Sequence, residues 1–157
     1  MVISLKKDPV IRFDLQTQIY RPLKQVFKFV VTPENNFEWQ YGTLASAQIS
    51  KGEISIGTLF RTVWHFMGRR IETLYEVTEF EVNKRYGFTS LSGPVDSRAL
   101  YTFEMTKGGT RIHLSTETNP GDLFKTEGLM VQKFKKQYQE NLVLLKSVME
   151  AHGIVSR

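Results

Sequence analysis

From Ile11 to Thr116 the apolar residues of this chain recur at every second position, segment after segment; beyond Asn119-Pro120-Gly121 they recur at every third or fourth. A period of two belongs to half-buried strands and a period near 3.6 to an amphipathic helix. The pattern therefore predicts a run of strands closed by one long helix. That helix, expected over Leu123 to His152 with Asp122 as N-cap and Gly153 just past its end, carries a single stripe: Val131, Phe134, Tyr138, Leu142, Leu145 and Met149. Lys133, Lys136, Gln137, Glu140 and Lys146 lie off the stripe. A helix with one apolar face needs one apolar surface to rest on, and the strands have to supply it.

The first strand, Ile11 to Tyr20, sets Phe13, Leu15, Thr17 and Ile19 against Arg12, Asp14, Gln16 and Gln18. Arg21-Pro22 then opens a short helix, because Leu23, Val26, Phe27, Val30 and Val31 share one helical face and Pro22 suits a first helical position. Thr32-Pro33 ends it, since the residue before proline avoids the α region, and a second short helix or turn carries Phe37 and Trp39. From Ala45 onward the pattern is all β. A short run lies between Lys51-Gly52 and Ile56-Gly57, and then come alternating segments around Phe60 to Phe66, Ile71 to Val77, Tyr86 to Ser90, Ala99 to Met105 and Ile112 to Thr116. Gly68, Ser92-Gly93-Pro94 and Lys107-Gly108-Gly109 mark the turns. The reading is an α+β domain: a curved antiparallel sheet of about seven strands, two short helices after strand one, and the long C-terminal helix over its aromatic face.

Composition narrows the class. A chain of 157 residues is one domain's length and buries roughly 70% of the surface its unfolded form exposes, so residues 1–157 are read as a single domain. With no cysteine, disulfides, thiol nucleophiles, Cys-based zinc sites and iron–sulfur clusters are excluded. Lys6, Lys7 and Asp8 interrupt the apolar N-terminus before a signal-peptide core can form, and no apolar run reaches the length of a membrane span. A cytoplasmic protein without stable membrane insertion is expected. The net charge of +5 is spread along the chain and its densest patch, Lys133, Lys135 and Lys136, is short, which argues against a nucleic-acid footprint. Membrane docking by that patch would need the neighbouring Leu123-Phe124 to insert.

Several local sequences resemble the START/Bet v 1-like (SRPBCC) superfamily, in particular its polyketide cyclase/dehydrase-like branch. They are Ile19-Tyr20-Arg21-Pro22-Leu23-Lys24-Gln25-Val26-Phe27, Trp39, Ile56-Gly57-Thr58, Val77-Thr78-Glu79, Gly108-Gly109-Thr110-Arg111 and Leu145-Lys146-Ser147-Val148-Met149-Glu150. Their order covers nearly the whole chain. Asn83 departs from the pattern, standing where many relatives have proline. The resemblance implies a helix-grip fold with a hydrophobic cavity between sheet and helix, used by relatives to bind lipids, polyketides or hormones and by a minority to catalyse cyclisation or dehydration.

The candidate site is the aromatic face: Phe60, Trp64, Phe66, Tyr75, Tyr86, Phe88, Tyr101 and Phe103, with Leu114, and with Phe134 and Tyr138 closing it from the helix. In an arbitrary domain such rings are simply core; a bent sheet gripping one helix makes them equally candidates for a pocket wall. Thr17, Thr62, Thr73, Ser90 and Thr116 add inward polarity. Parity places His65, His113, Asp14, Glu72, Glu76, Glu104 and Glu117 on the outer face, and His152 falls at a helix end, so neither a metal site, a fixed cofactor nor a catalytic residue is expected. Arg98, beside Asp96 in the loop before a strand, is a candidate for the cavity mouth, although an exposed loop ion pair is the commoner arrangement for such residues. Gly128 in the long helix points to a late start or a flexible first turn. The expected function is binding of a small, mostly apolar, uncharged molecule such as a lipid, polyketide or isoprenoid. The alternatives are a cyclase/dehydratase-like enzyme using a tyrosine or Arg98 as acid, and an accessory protein-interaction domain with a closed core. A homodimer is compatible with all three.

Overall fold

The alternating segments pair into one antiparallel sheet. The structure is a computed structural model that describes residues 10–119 and 128–155. Among these, β1 (Ile11–Ile19), β2 (Thr43–Gln48), β3 (Leu59–Phe66), β4 (Arg69–Glu81), β5 (Arg85–Ser92), β6 (Asp96–Thr106) and β7 (Gly109–Asn119) stand in the order β1-β7-β6-β5-β4-β3-β2. Between β1 and β2 lie α1 (Leu23–Val30) and, after a 3₁₀ turn over Pro33–Asn35, the single-turn α2 (Asn36–Trp39); α3 (Gly128–Val155) follows the sheet. This is the helix-grip, Bet v 1-like architecture.

Four details differ from the sequence reading. Pro22 caps α1 rather than entering it, with its carbonyl accepting from the N–H groups of Gln25 and Val26. The second strand is Thr43–Gln48, while the run between Gly52 and Gly57 is not a strand; Gly52 and Gly57 both take positive φ there and turn the chain back. Gly153 does not end α3, which continues to Val155. Met105 is 74% exposed, at the end of β6 next to the turn into β7. The expected start of the long helix at Asp122-Leu123-Phe124 lies outside the described residues.

Ridges of inward side chains run across the strands. Leu15 pairs with Leu114, Leu114 with Tyr101, and Tyr101 with Tyr86; Phe60 pairs with Tyr75. A bulge between Val77 and Glu79 breaks the parity of β4. The extra residue, Thr78, brings Phe80 onto the inner face, where it meets Phe27 with ring centroids 5.6 Å apart. Asn83 takes φ 63 in the β4–β5 turn, which Lys84 N–H closes onto Glu81 O at 2.9 Å. Proline, fixed near φ −65, cannot adopt that conformation, so the departure from the family pattern comes with a different turn.

The stripe of α3 lies against the concave face. Phe134 stacks on Phe66 at 4.4 Å and Tyr138 meets Phe13 edge-on at 6.1 Å, while Leu142, Leu145 and Met149 join the main core with Ile19, Val26, Trp39 and Leu114. The C-terminal half of the helix is latched to the β1–α1 junction. Arg21 donates to Met149 O at 2.9 Å, Lys146 to Gln18 O at 2.8 Å, and Glu150 accepts from Tyr20 N–H at 3.0 Å. The Tyr20-Arg21 junction and the Lys146 to Glu150 segment, distant in sequence, thus make one contact. The hydrogen bond from Lys146 and then that from Tyr20 hold the Glu150 carboxyl below its ordinary range.

At this same end of β1, Gly109 opens β7 so close to the neighbouring strand that a Cβ would stand 2.1 Å from Ile19 O and 2.9 Å from the Tyr20 Cα. Both are backbone atoms and cannot yield without parting the strands. Gly57 is a contrast: its φ is +94 and nothing lies within 4 Å of a built Cβ. In urea unfolding, Gly57→Ala should cost about 1–2 kcal/mol through its left-handed backbone, and Gly109→Ala about 3 kcal/mol or more through forced separation of β1 and β7.

Candidate functional site

The inner face and α3 do not meet everywhere. Between them lies a cavity of about 100 Å³. Its floor is aromatic: Phe60 and Tyr75 stack at 5.1 Å, and Phe88 stands edge-on to both at 5.2 and 5.0 Å. Trp64, Tyr101, Phe134 and Tyr138 complete the apolar wall. Of the residues expected from sequence, these seven line the cavity and four do not. Phe66 is covered by Phe134, Tyr86 lies behind Tyr101 at 6.1 Å, Phe103 packs on Phe27 at 5.0 Å, and Leu114 is buried in the main core.

Arg98 borders the cavity, and it belongs to β6 rather than to a loop. Its guanidinium approaches Glu117 at 3.6 Å, on the face that also carries the Arg12–Glu117 pair, and not Asp96. Strand parity decides this, because Ser97 and Ala99 take the inward positions on either side. His65 and His113 are exposed, the latter 3.7 Å from Asp14. Among the described residues no three His, Asp or Glu side chains are grouped to hold a metal.

The polar part of the wall comes mainly from the helices and was not anticipated. Asn36 and Gln40 from the α2 region, Thr43 from β2, and Gln137 and Asn141 from α3 gather on one side, around the exposed Tyr41. Asn36 donates to Ser46, whose hydroxyl meets that of Thr62 at 3.0 Å. Asn141 was legible in principle: it falls seven residues after Phe134 and three after Tyr138, on the buried stripe. Gln137, read as lying off the stripe, reaches Tyr41 O at 2.8 Å. Together Gln137 and Asn141 strap the Tyr41-Gly42 segment over the cavity, and His65 N–H holds its far side at Gly42 O, 2.8 Å away.

The cavity's hydroxyls are neutral. Burial raises Tyr75 against hydrogen bonds from Ser97 and Thr73, raises Tyr101 strongly, and pushes Tyr138 up to about 12. Burial also raises Tyr86 behind them. Trp64 Nε1 donates to Thr73 Oγ1 at 3.2 Å. An acid with a pKa this far above neutrality is poorly matched to proton transfer near pH 7; what these groups offer is hydrogen bonding.

A family profile described as polyketide cyclase/dehydrase and lipid transport matches residues 10–150. No curated protein matches the sequence. Among solved structures, Ara h 8.0201 superposes with a TM-score of 0.68 at 16% identity, covering 91% of this chain and 99% of that one. CV1439 from Chromobacterium violaceum superposes with a TM-score of 0.66 at 14% identity, covering 88% and 96%. These likenesses carry the fold. The profile, matching nearly the whole length over which sheet, cavity and helix are built, carries the family: the chain belongs to the polyketide cyclase/dehydrase and lipid transport family.

Proposed function

We propose that the protein is a single-domain binding module, cytoplasmic in location, that takes a small, mostly apolar and uncharged molecule such as a lipid, polyketide or isoprenoid into the cavity between sheet and α3. The observation that carries this is the stacked aromatic floor of Phe60, Tyr75 and Phe88 left uncovered by the helix. Family membership supports a hydrophobic ligand. The wall supports an uncharged one, because Arg98, its one charged residue among those described, is engaged by Glu117 outside. Size sets a further condition. A cavity of about 100 Å³ is smaller than the ~150 Å³ that admits benzene and far below the roughly 300–1,000 Å³ of drug-sized pockets. Even a benzene-sized ring therefore enters by displacing side chains, and the Tyr41 strap, tied by side-chain bonds from Gln137 and Asn141, is one part of the wall that can yield.

A neutral apolar fluorophore such as N-phenylnaphthylamine should therefore quench Trp64 and raise the melting temperature with concentration, as any ligand specific to the folded state does. Trp64→Ala removes a half-buried ring beside open space, and should weaken the probe while costing less than the ~3–5 kcal/mol of a buried aromatic truncation. Phe27→Ala, 4% exposed and away from the cavity, should cost the full ~3–5 kcal/mol with probe affinity unchanged. Loss of probe binding in neither or both variants contradicts the proposal.

Alkaline titration offers a second check. Because the folded pKa of each cavity tyrosine is raised above the ordinary value of 10.0, the folded state holds protons that the unfolded state releases. Their contribution to stability is complete below about pH 10 and is lost as pH rises from there through the folded values, near 12 for Tyr138. Phenolate absorbance of these residues should appear with unfolding, and a stabilising ligand should move both to higher pH together.

A further inference from the structure

The backbone of Tyr41 fixes the orientation of two amides on α3. A peptide N–H can only donate, so the Asn141 atom that receives it at 2.7 Å is Oδ1, and a peptide carbonyl can only accept, so the Gln137 atom that reaches Tyr41 O at 2.8 Å is Nε2. Asn141 is therefore left with its Nδ2 group unused. That group has no hydrogen-bond partner among the described residues, although Asn141 is 7% exposed and lines the cavity. Nδ2 is not sealed off, since the side-chain polar atoms buried without a partner among the described residues are Trp39 Nε1 and Thr116 Oγ1; it keeps accessible surface on a residue that lines the cavity, where water or a ligand can satisfy it. The Tyr101 hydroxyl, also on the cavity wall, is likewise not among the side-chain atoms buried without a partner.

We infer that Asn141 is a ligand-recognition residue, and that its Nδ2 donates to a neutral carbonyl oxygen (a ketone, amide or lactone) on a flat unsaturated ligand whose ring lies on the Phe60–Tyr75–Phe88 floor. This rests on the binding reading above and adds the chemical class. Two donor-capable groups of the wall stand open, which favours an acceptor. Among the described residues no cation faces inward to balance a carboxylate or phosphate, and burying an unpaired anion is far more costly than burying a carbonyl. The stacked rings favour a planar partner.

Acetophenone carries a C=O group where ethylbenzene has CH2, at nearly the same size, and the pair tests the inference directly. Since a ketone gives up a hydrogen bond to water on entering the cavity, a wall without a donor would prefer the hydrocarbon. By calorimetry or ligand-observed NMR the protein should bind acetophenone at least as tightly as ethylbenzene. Asn141→Asp at mildly alkaline pH keeps an oxygen for Tyr41 N–H but removes the donor, and should shift the affinity ratio toward ethylbenzene by about tenfold. Should that variant not fold, the infrared C=O stretch of carbon-13-labelled acetophenone bound to the unaltered protein reads the same bond: a red shift from its value in hexane is expected. An unchanged ratio in the variant, an unshifted stretch, or rejection of acetophenone where ethylbenzene binds overturns the carbonyl inference and leaves the binding reading standing. Failure of both compounds to bind removes the binding reading itself, and this inference with it.

Discussion

One helix is narrower than the sheet that holds it. Seven strands about 4.8 Å apart span about 29 Å, and a helix with its side chains is about 10–12 Å across. Everything else in the structure answers that mismatch. The sheet curls until β1 and α3 meet at Phe13 and Tyr138; α1 fills one flank with Val26, Phe27 and Val30; Trp39 of α2 drives into the core edge-on to Tyr101; the bulge at Thr78 turns Phe80 inward to meet α1. What these leave unfilled is the cavity over Phe60, Tyr75 and Phe88. It is a remainder of the architecture, and its position follows from where the small helices are not.

The two ends of α3 are held by different means. Its C-terminal half is both packed and latched, through Arg21, Lys146 and Glu150. Further toward its N-terminus, where the cavity lies, polar links to the rest of the chain among the described residues run from Gln137 and Asn141 to the Tyr41 backbone and from Tyr138 to Thr118. The rigid part of the grip is thus separated from the part beside the open space, as expected where a scaffold and a binding surface share one helix.

Much of this was legible from periodicity. Strand parity located Phe60, Trp64, Tyr75, Phe88 and Tyr101 on the cavity side because those strands are regular over those residues, and it put His65 and His113 outside for the same reason. It failed wherever the backbone departs from two residues per repeat. The bulge hid Phe80, and the edge strand β2, with its own shift between Thr43 and Ala45, has too few apolar residues to announce itself. Parity also cannot tell a cavity wall from a core: Phe66, Tyr86, Phe103 and Leu114 have the right phase and are covered by other side chains. The polar wall was missed because inward polarity was sought on strands, whereas Asn36, Gln137 and Asn141 project from helices, and a single asparagine on an apolar stripe reads as an interruption until its partner, a main-chain N–H a hundred residues away, is known.

Apart from Arg98 at its border, the polar groups of the cavity among the described residues are amides and protonated hydroxyls, while the ion pairs of the sheet face outward: Arg12 and Arg98 with Glu117, Arg111 with Glu104, Arg85 with Glu79, Lys84 with Glu81. Exposed pairs of this kind are weak and screened over about 8 Å at physiological ionic strength. Salt therefore acts on the outer surface of this molecule and leaves the interior untouched. The net charge of +5 can drift by surface substitution, altering solubility and the encounters the protein makes with other macromolecules, without any electrostatic message reaching the aromatic floor.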